Sequence, residues 1–341
     1  MFQQATNELR QTPQRWLVTG AAGFIGSNLV GKLLELGQHV TGMDNFATGY
    51  RENLESVRED VGQDAWERFR FVEADITDID GCRECCSGVR YVLHQAALGS
   101  VPRSIEDPIT ANTVNIGGFV NMLEAAKAAG VERFVYASSS SVYGDHPELP
   151  KHEDRIGRQL SPYAVTKRAN ELYSDVFGGC YGMQTVGLRY FNIFGPRQDP
   201  EGAYAAVIPK WFSALLSGET VYINGDGETS RDFCYVENAV WANILAAFSK
   251  HPEAPGRYYN IACGRRTSLN ELFGLIRDLV ARRKPEAAGA RPIHREERLG
   301  DVRHSLADVT LAKEFLGFEA GISISEGLEK AAGWYCRAAT E

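Results

Sequence analysis

The chain of 341 residues has no apolar run approaching the roughly 20 residues that a membrane-spanning helix requires. Its start, MFQQATNELRQTPQ, is polar and lacks the apolar stretch of a secretory signal. It also lacks an even cysteine framework. Seven cysteines at irregular spacings predict reduced thiols in a cytoplasmic protein. Cys82, Cys85 and Cys86 crowd together, but no second ligand pair follows at zinc spacing, so free thiols on a helix are expected and no metal. Positive charge is in short supply too. A net charge of −8 argues against nucleic acid or an anionic membrane as the main partner. Local arginines still permit a negatively charged small substrate. No internal repeat and no low-complexity linker interrupts the chain.

What the chain does have is core. Hydrophobic residues make up 44%, enough for one large α/β unit with a smaller lobe. From Trp16 onward, WLVTG, HVTGMD, FRFVEAD, VRYVLHQAA, RFVYASSS and TVGLRYFN read as buried strands. IGSNLVGKLLELG, a stretch near 79–87, NIGGFVNMLEAAKAAG and PYAVTKRANELYSDVFGGC read as the helices between them. Such alternation predicts an α/β fold with a doubly wound parallel sheet, helices covering both faces. Residues 1–14 read as a polar arm with helical character. Past Asn192 the texture changes to glycine- and proline-rich loops with short helices. Ser268-Leu-Asn-Glu271 is a capping box opening a helix near 268–283. KPEAAGARP reads as a loop, and LADVTLAKEFLGF as a short helix capped by Asp308. The expected organisation is an arm (1–14), a dinucleotide-binding unit (15–191) and a mainly substrate-binding α/β lobe (192–341). Parts of that lobe are expected to return to the main sheet.

Two motifs carry the chemistry. Gly20-x-x-Gly23-x-x-Gly26 follows a strand and opens a helix. Glycines there permit a tight turn, let the backbone approach a pyrophosphate and let helix and strand pack closely. The helix N-terminus then offers N–H groups to the phosphates. Asp44 ends the next strand, where a carboxylate can bind both ribose hydroxyls of NAD and would repel the 2′-phosphate of NADP. Asp75 and Ile76 fall toward the adenine end, and Gln95, Ala96 and Ala97 beside the cofactor path. Further on, Ser161-Pro162 starts a helix, with serine as cap and proline in the first turn. Tyr163 and Lys167 are then one turn apart on one face. A free phenol near pKa 10 is a poor base at neutral pH. A lysine ammonium and a positive nicotinamide ring would lower it. The pair can therefore take a proton from a hydroxyl while hydride leaves its carbon. Ser138 to Ser141 end a strand where open α/β sheets place ligands, and spacing alone leaves open which serine meets the reacting hydroxyl.

GAAGFIG, Asp44, the serine run before VYG, YAVTK and RYFNIFGPR together resemble the extended short-chain dehydrogenase/reductase family, and within it the UDP-sugar 4-epimerases. AALGSVPRS, GAYAAVIPKW, GDGETSRDF and GDVRHSLAD are similar to the bacterial UDP-N-acetylglucosamine 4-epimerases of polysaccharide assembly. The resemblance spans nearly all of residues 15–335 and implies a Rossmann-type sheet. It also implies retained NAD and a reversible oxidation at C4 through a 4-keto sugar that swings about its diphosphate. Tyr163 would be the base, Lys167 its partner and Ser139 the catalytic serine, with Ser140 its neighbour. The cofactor set would add Phe24, Ile25, Asn45, Asn115 and Phe191. Asn192, Arg231, Arg298 and Asp301 would hold the UDP end, with Val207 at the nucleotide loop and Ser100 and Ser141 on the substrate side. Ser305, Gly99 and Ala206 stand where galactose epimerases carry tyrosine, lysine and asparagine. The smaller residues imply room for a 2-acetamido group, hence UDP-GlcNAc and UDP-GalNAc over UDP-glucose and UDP-galactose. The family also implies a homodimer paired through helices near 112–129 and 162–180.

Other readings share parts of this pattern. A 4,6-dehydratase needs an extra acid and base before VYG, where this chain has only serines. A uronic acid 4-epimerase would present a cation to the C6 carboxylate, a role open to Arg103. A non-catalytic NAD-binding regulator is disfavoured because Tyr163 and Lys167 are both present. A dehydrogenase that releases its cofactor would consume NAD in proportion to product.

Overall fold

The computed structural model describes residues 2–199, 206–296 and 302–338. Seven strands form one parallel sheet: β1 (Arg15–Thr19), β2 (His39–Asp44), β3 (Phe69–Glu73), β4 (Tyr91–His94), β5 (Arg133–Ser139), β6 (Thr185–Tyr190) and β7 (Arg257–Ile261). Their order is β7-β6-β5-β4-β1-β2-β3. The chain winds outward from β1 through β2 and β3, then crosses back to β4 and winds the other way. The crevice between β1 and β4 is thus a topological switch point, the place where an open α/β sheet binds its ligand.

The alternating side chains of β1 explain why both faces are covered. Trp16 and Val18 point into one apolar layer, beneath the helices Phe24–Glu35 and Val236–Phe248. Leu17 points into the other, beneath Ile79–Cys86, Phe119–Ala128 and Pro162–Tyr181. Cys82, Cys85 and Cys86 lie in this second layer as free thiols. Burial pushes Cys82 and Cys86 up to about 12 and Cys85 to about 11, so all three stay protonated and unreactive. Residues 2–11 are helical and packed onto the body. Leu9 is fully buried, and the Gln38 side chain donates to its carbonyl at 2.8 Å.

All six strands read from the sequence are present. The seventh, RYYNI, went unread, because its tyrosines and Asn260 break the apolar pattern. Asn260 is wholly buried yet satisfied, donating to the carbonyls of Lys151 and Asp308. Strand β7 pairs with β6 from Arg257↔Val186 to Ile261↔Tyr190, so the second half of the chain completes the sheet of the first. The helix expected from residue 115 begins as a π-turn over Thr113–Gly118 before the α-helix Phe119–Ala128. KPEAAGARP contains a 3-10 turn over Pro285–Gly289 instead of being wholly loop. The last short helix is a π-turn over Ala312–Leu316, with Asp308 accepting from the Thr310 N–H just ahead of it. Ser268 caps Leu269–Ala281 as expected, accepting from the Glu271 N–H at 3.2 Å. No helix among the described residues is long and apolar enough to cross a membrane.

Candidate active site

At the carboxyl ends of β1, β2, β4, β5 and β6 lies a cleft of about 900 Å³. A second of about 670 Å³ adjoins it, sharing Asn192, Ile193 and Ala206 as common wall. The first is shaped by the glycine turn. Gly20 has φ +67°, and a Cβ there would meet the Ala96 backbone N at 2.9 Å. A Cβ on Gly26 would overlap the Gly20 carbonyl oxygen. Close packing of turn, helix and β4 therefore demands glycine at both positions. Gly23 is the N-cap of Phe24–Glu35 and has no side chain to occupy the helix amides, which stay available to an anion.

Asp44 lies beside this turn, with Oδ2 accepting from the Ala22 N–H (2.9 Å) and Oδ1 from the Phe46 N–H (2.8 Å). Each oxygen retains acceptor capacity for a ribose diol. The Asn45 side chain donates to Asp75 (2.7 Å). Burial works to raise the Asp75 pKa, but hydrogen bonds from Thr77 and Asn45 outweigh it and hold this carboxylate below its ordinary value. Phe24, Ile25, Ile76, Ala96, Ala97 and Phe191 complete the apolar walls, with the Gln95 amide among them. A cleft that excludes Cβ atoms at the turn, presents uncapped helix amides and sets a carboxylate at the end of β2 fits NAD.

β5 ends in Ser139, and Ser139 and the following Ser140 line the first cleft with Tyr163 and Lys167. Ser161 caps the helix below them, accepting from the Ala164 N–H at 3.2 Å. The Tyr163 N–H donates to the Ser104 hydroxyl (3.0 Å), fixing the first turn. Burial raises the Tyr163 pKa above its ordinary value, and only the Ser139 hydroxyl beside it acts the other way. The lowering expected from Lys167 together with the nicotinamide ring belongs to the site with its cofactor in place. The Lys167 ammonium points to the Ala137 carbonyl (2.8 Å), lies 5.9 Å from the tyrosine ring centroid and is itself brought down to about 8 by burial. Beneath them the wholly buried pair Glu171–Arg189 (2.8 Å) also binds Ser138, so Ser138 braces the strand end and leaves Ser139 to the cleft.

Gly99 and Ser100 line the first cleft; Val207 and Arg231 line the second, and Asn192 and Ala206 both. Three of the expected residues are not among those lining either cleft. Ser141 is absent from the cleft walls; its hydroxyl is buried in the 3-10 turn without a partner. Asn115 also stands behind the wall. Its amide accepts from the Leu98 N–H (2.7 Å) and donates to the Leu98 carbonyl (3.0 Å) and the Thr166 hydroxyl (3.2 Å), bolting the post-β4 loop to the helix Pro162–Tyr181. Ser305 lines neither cleft; its N–H donates to the Ser230 carbonyl (3.0 Å), one residue from Arg231. Arg298 and Asp301 lie outside the described residues. Tyr190, Gln198 and Asp199 in the first cleft, and Lys210, Trp211, Arg295 and Arg303 in the second, escaped the sequence reading. Trp211 had a signal, one helical turn beyond Val207. Arg295 had none, since it reaches the cleft only because Ile293–Arg295 pairs with Tyr222–Asn224.

A family model described as the NAD dependent epimerase/dehydratase family matches residues 16–262. The chain is 39% identical over 323 residues to a UDP-glucose 4-epimerase of Mycolicibacterium smegmatis, covering 93% of this chain and 96% of that one. It is 33% identical over 324 residues to a UDP-glucuronate 4-epimerase of Thermodesulfobacterium geofontis, covering 94% and 95%. A solved structure of a UDP-N-acetylglucosamine 4-epimerase from Methanobrevibacter ruminantium, in complex with UDP-N-acetylmuramic acid, superposes with a TM-score of 0.87 at 36% identity, covering 96% of this chain and 99% of that one.

Proposed function

This chain belongs to the NAD dependent epimerase/dehydratase family, and from that premise we propose that it inverts the C4 hydroxyl of a UDP-sugar, preferring UDP-GlcNAc and UDP-GalNAc. Support for the 4-epimerase reading comes from Tyr163, Lys167 and Ser139 lining one cleft with the glycine turn and Asp44, Ser139 beside the Tyr163 hydroxyl. Ser139 would hydrogen-bond the 4-hydroxyl and orient it toward Tyr163. Tyr163 would take the hydroxyl proton and return it after the sugar has turned. Lys167 would stabilise the phenolate by its charge. When bound, NAD supplies the hydride acceptor at C4 and then the donor. Gly20, Gly23, Gly26 and Asp44 would hold it. Arg231, with Arg295 and Arg303 across the second cavity, suits a diphosphate, because planar guanidinium forks match phosphate oxygens.

The observation that carries the N-acetyl preference is Gly99. A Cβ built there meets nothing within 4 Å, so the sugar end of the cleft has spare volume. A uronic acid substrate is favoured by a different residue, Arg103, which lines the same end. We also take the protein to act as a homodimer. Purified protein incubated without added cofactor should convert UDP-GlcNAc to UDP-GalNAc faster than UDP-glucose to UDP-galactose, with no net NADH, as resolved by NMR. Epimer from UDP-glucuronic acid alone would replace this reading with the Arg103 one. Product formed in proportion to consumed NAD would reject epimerisation.

A further inference from the structure

The two rims of the dinucleotide cleft come from distant parts of the chain. One is the loop after β2, whose Ala47 and Thr48 line the cavity. It is tied to the glycine turn, the Tyr50 N–H donating to the Ala22 carbonyl at 3.1 Å. The other rim is Gly195–Asp199, whose Gln198 and Asp199 line the same cavity. Arg197 anchors this second rim. It adopts φ +68°, costly for a residue with a Cβ. Its side chain is 7% exposed, pairs with Asp60 at 2.5 Å and donates to Asn28 at 3.2 Å, on the helix that the glycine turn opens. The Asn28 amide in turn donates to the Pro196 carbonyl (3.1 Å). Strain and burial are thus spent on aiming the two residues that follow. At the tip, the Tyr50 hydroxyl donates to the Asp199 carboxylate at 2.7 Å and joins the rims.

We propose that the Tyr50–Asp199 bond is a latch across the dinucleotide half of the cleft that slows NAD release between turnovers, with Arg197 as its positioning residue. The inference rests on the epimerase reading, in which the cofactor ends each cycle as it began and gains nothing by leaving. Opening the latch requires breaking a hydrogen bond to a charged acceptor, which is worth about tenfold or more in a rate.

The test follows NAD⁺ leaving the purified holoenzyme, trapped by an added alcohol dehydrogenase and ethanol that reduce only free NAD⁺. Tyr50→Phe and Asp199→Ala should each release NAD about tenfold faster. The double variant should be no faster than Asp199→Ala, because removing the carboxylate already breaks the bond that Tyr50→Phe removes. Asp199→Asn, which keeps an acceptor, should restore much of the retention. The melting temperature of the NAD-free protein should be the same in all, which a merely structural role would not give. Wild-type release rates in the single variants, or effects that multiply in the double, would overturn the latch. Faster release from a protein that epimerises no UDP-sugar would uphold the latch and reject the function instead. Normal epimerisation with unchanged release would do the reverse.

Discussion

At the residue scale the site is governed by what burial does to Tyr163 and Lys167. Burial makes the phenol a weaker acid and the ammonium a stronger one, so the protein's own groups do not prepare a tyrosinate. Lys167 has a folded value of about 8, well under the free-lysine value near 10.4. It is charged below about 8 and loses its charge as pH rises through that value. If the ammonium supports the phenolate, kcat/KM should fall above about pH 8. Lys167→Arg, which stays charged, should move that alkaline limb upward even if its rate is lower; an unmoved limb would assign it to another group. The linkage has a definite sign for stability. Between about 8 and 10.4 the unfolded chain binds the extra proton, so stability rises with pH there, and the burial cost is fully present below about 8. Removing the proton-transfer group should be more severe. Tyr163→Phe is expected to lose roughly 10²–10⁴-fold in kcat while retaining NAD, read as turnover alongside the cofactor content of the purified protein. Loss of NAD in parallel would make Tyr163 a binding group first.

At the element scale the strand–turn–helix unit around Gly20–Gly26 carries the cofactor cleft. Gly26→Ala would force its methyl into the Gly20 carbonyl, so the turn must move. A destabilisation of about 1–3 kcal/mol is expected, as for an overpacked core, together with loss of co-purifying NAD. Gly99→Ala meets open space and should leave the melting temperature unchanged while raising KM for UDP-GlcNAc more than for UDP-glucose. Equal effects on both sugars would remove the volume argument. These elements were legible because their physics is local. A glycine turn after an apolar strand, a Ser-Pro helix start and an i,i+4 Tyr–Lys pair all act within a few residues. What was not legible depends on distant partners. The Asn115 amide ties down Leu98, 17 positions earlier, and no local pattern shows that. RYYNI did not read as a strand because its polar Asn260 is satisfied by Lys151 and Asp308, far away in sequence. Ser305 is tied by its N–H to the Ser230 carbonyl, 75 positions earlier in the chain, and no local spacing shows that.

At the scale of the whole molecule, the helix Pro162–Tyr181 serves two surfaces. One face carries Lys167 and Glu171 into the interior. The other leaves Val165, Leu172 and Val176 about half exposed, in a stripe spaced by seven and four residues. Ile105 and Ile109 are also exposed, at 61% and 79%, on the short helices that pack against this one. Apolar stripes of this kind mark a surface built to be covered. The homodimer proposed above would cover it, since an isologous pair brings the same stripe from both subunits. The contact would also stiffen the helix whose first turn holds Tyr163. Light scattering should therefore give wild-type protein a mass twice 37.6 kDa. Leu172→Glu and Val176→Glu should shift it to the single-chain mass at micromolar concentration, because each would bury an unpaired carboxylate in the pair. Turnover should fall with the mass, while the rate of NAD release stays as in wild type, the cofactor cleft lying at the sheet's carboxyl edge and not on this helix face. A wild-type mass of 37.6 kDa at working concentrations would leave the stripe without this partner, and normal turnover in the dissociated variants would separate pairing from the chemistry of Tyr163.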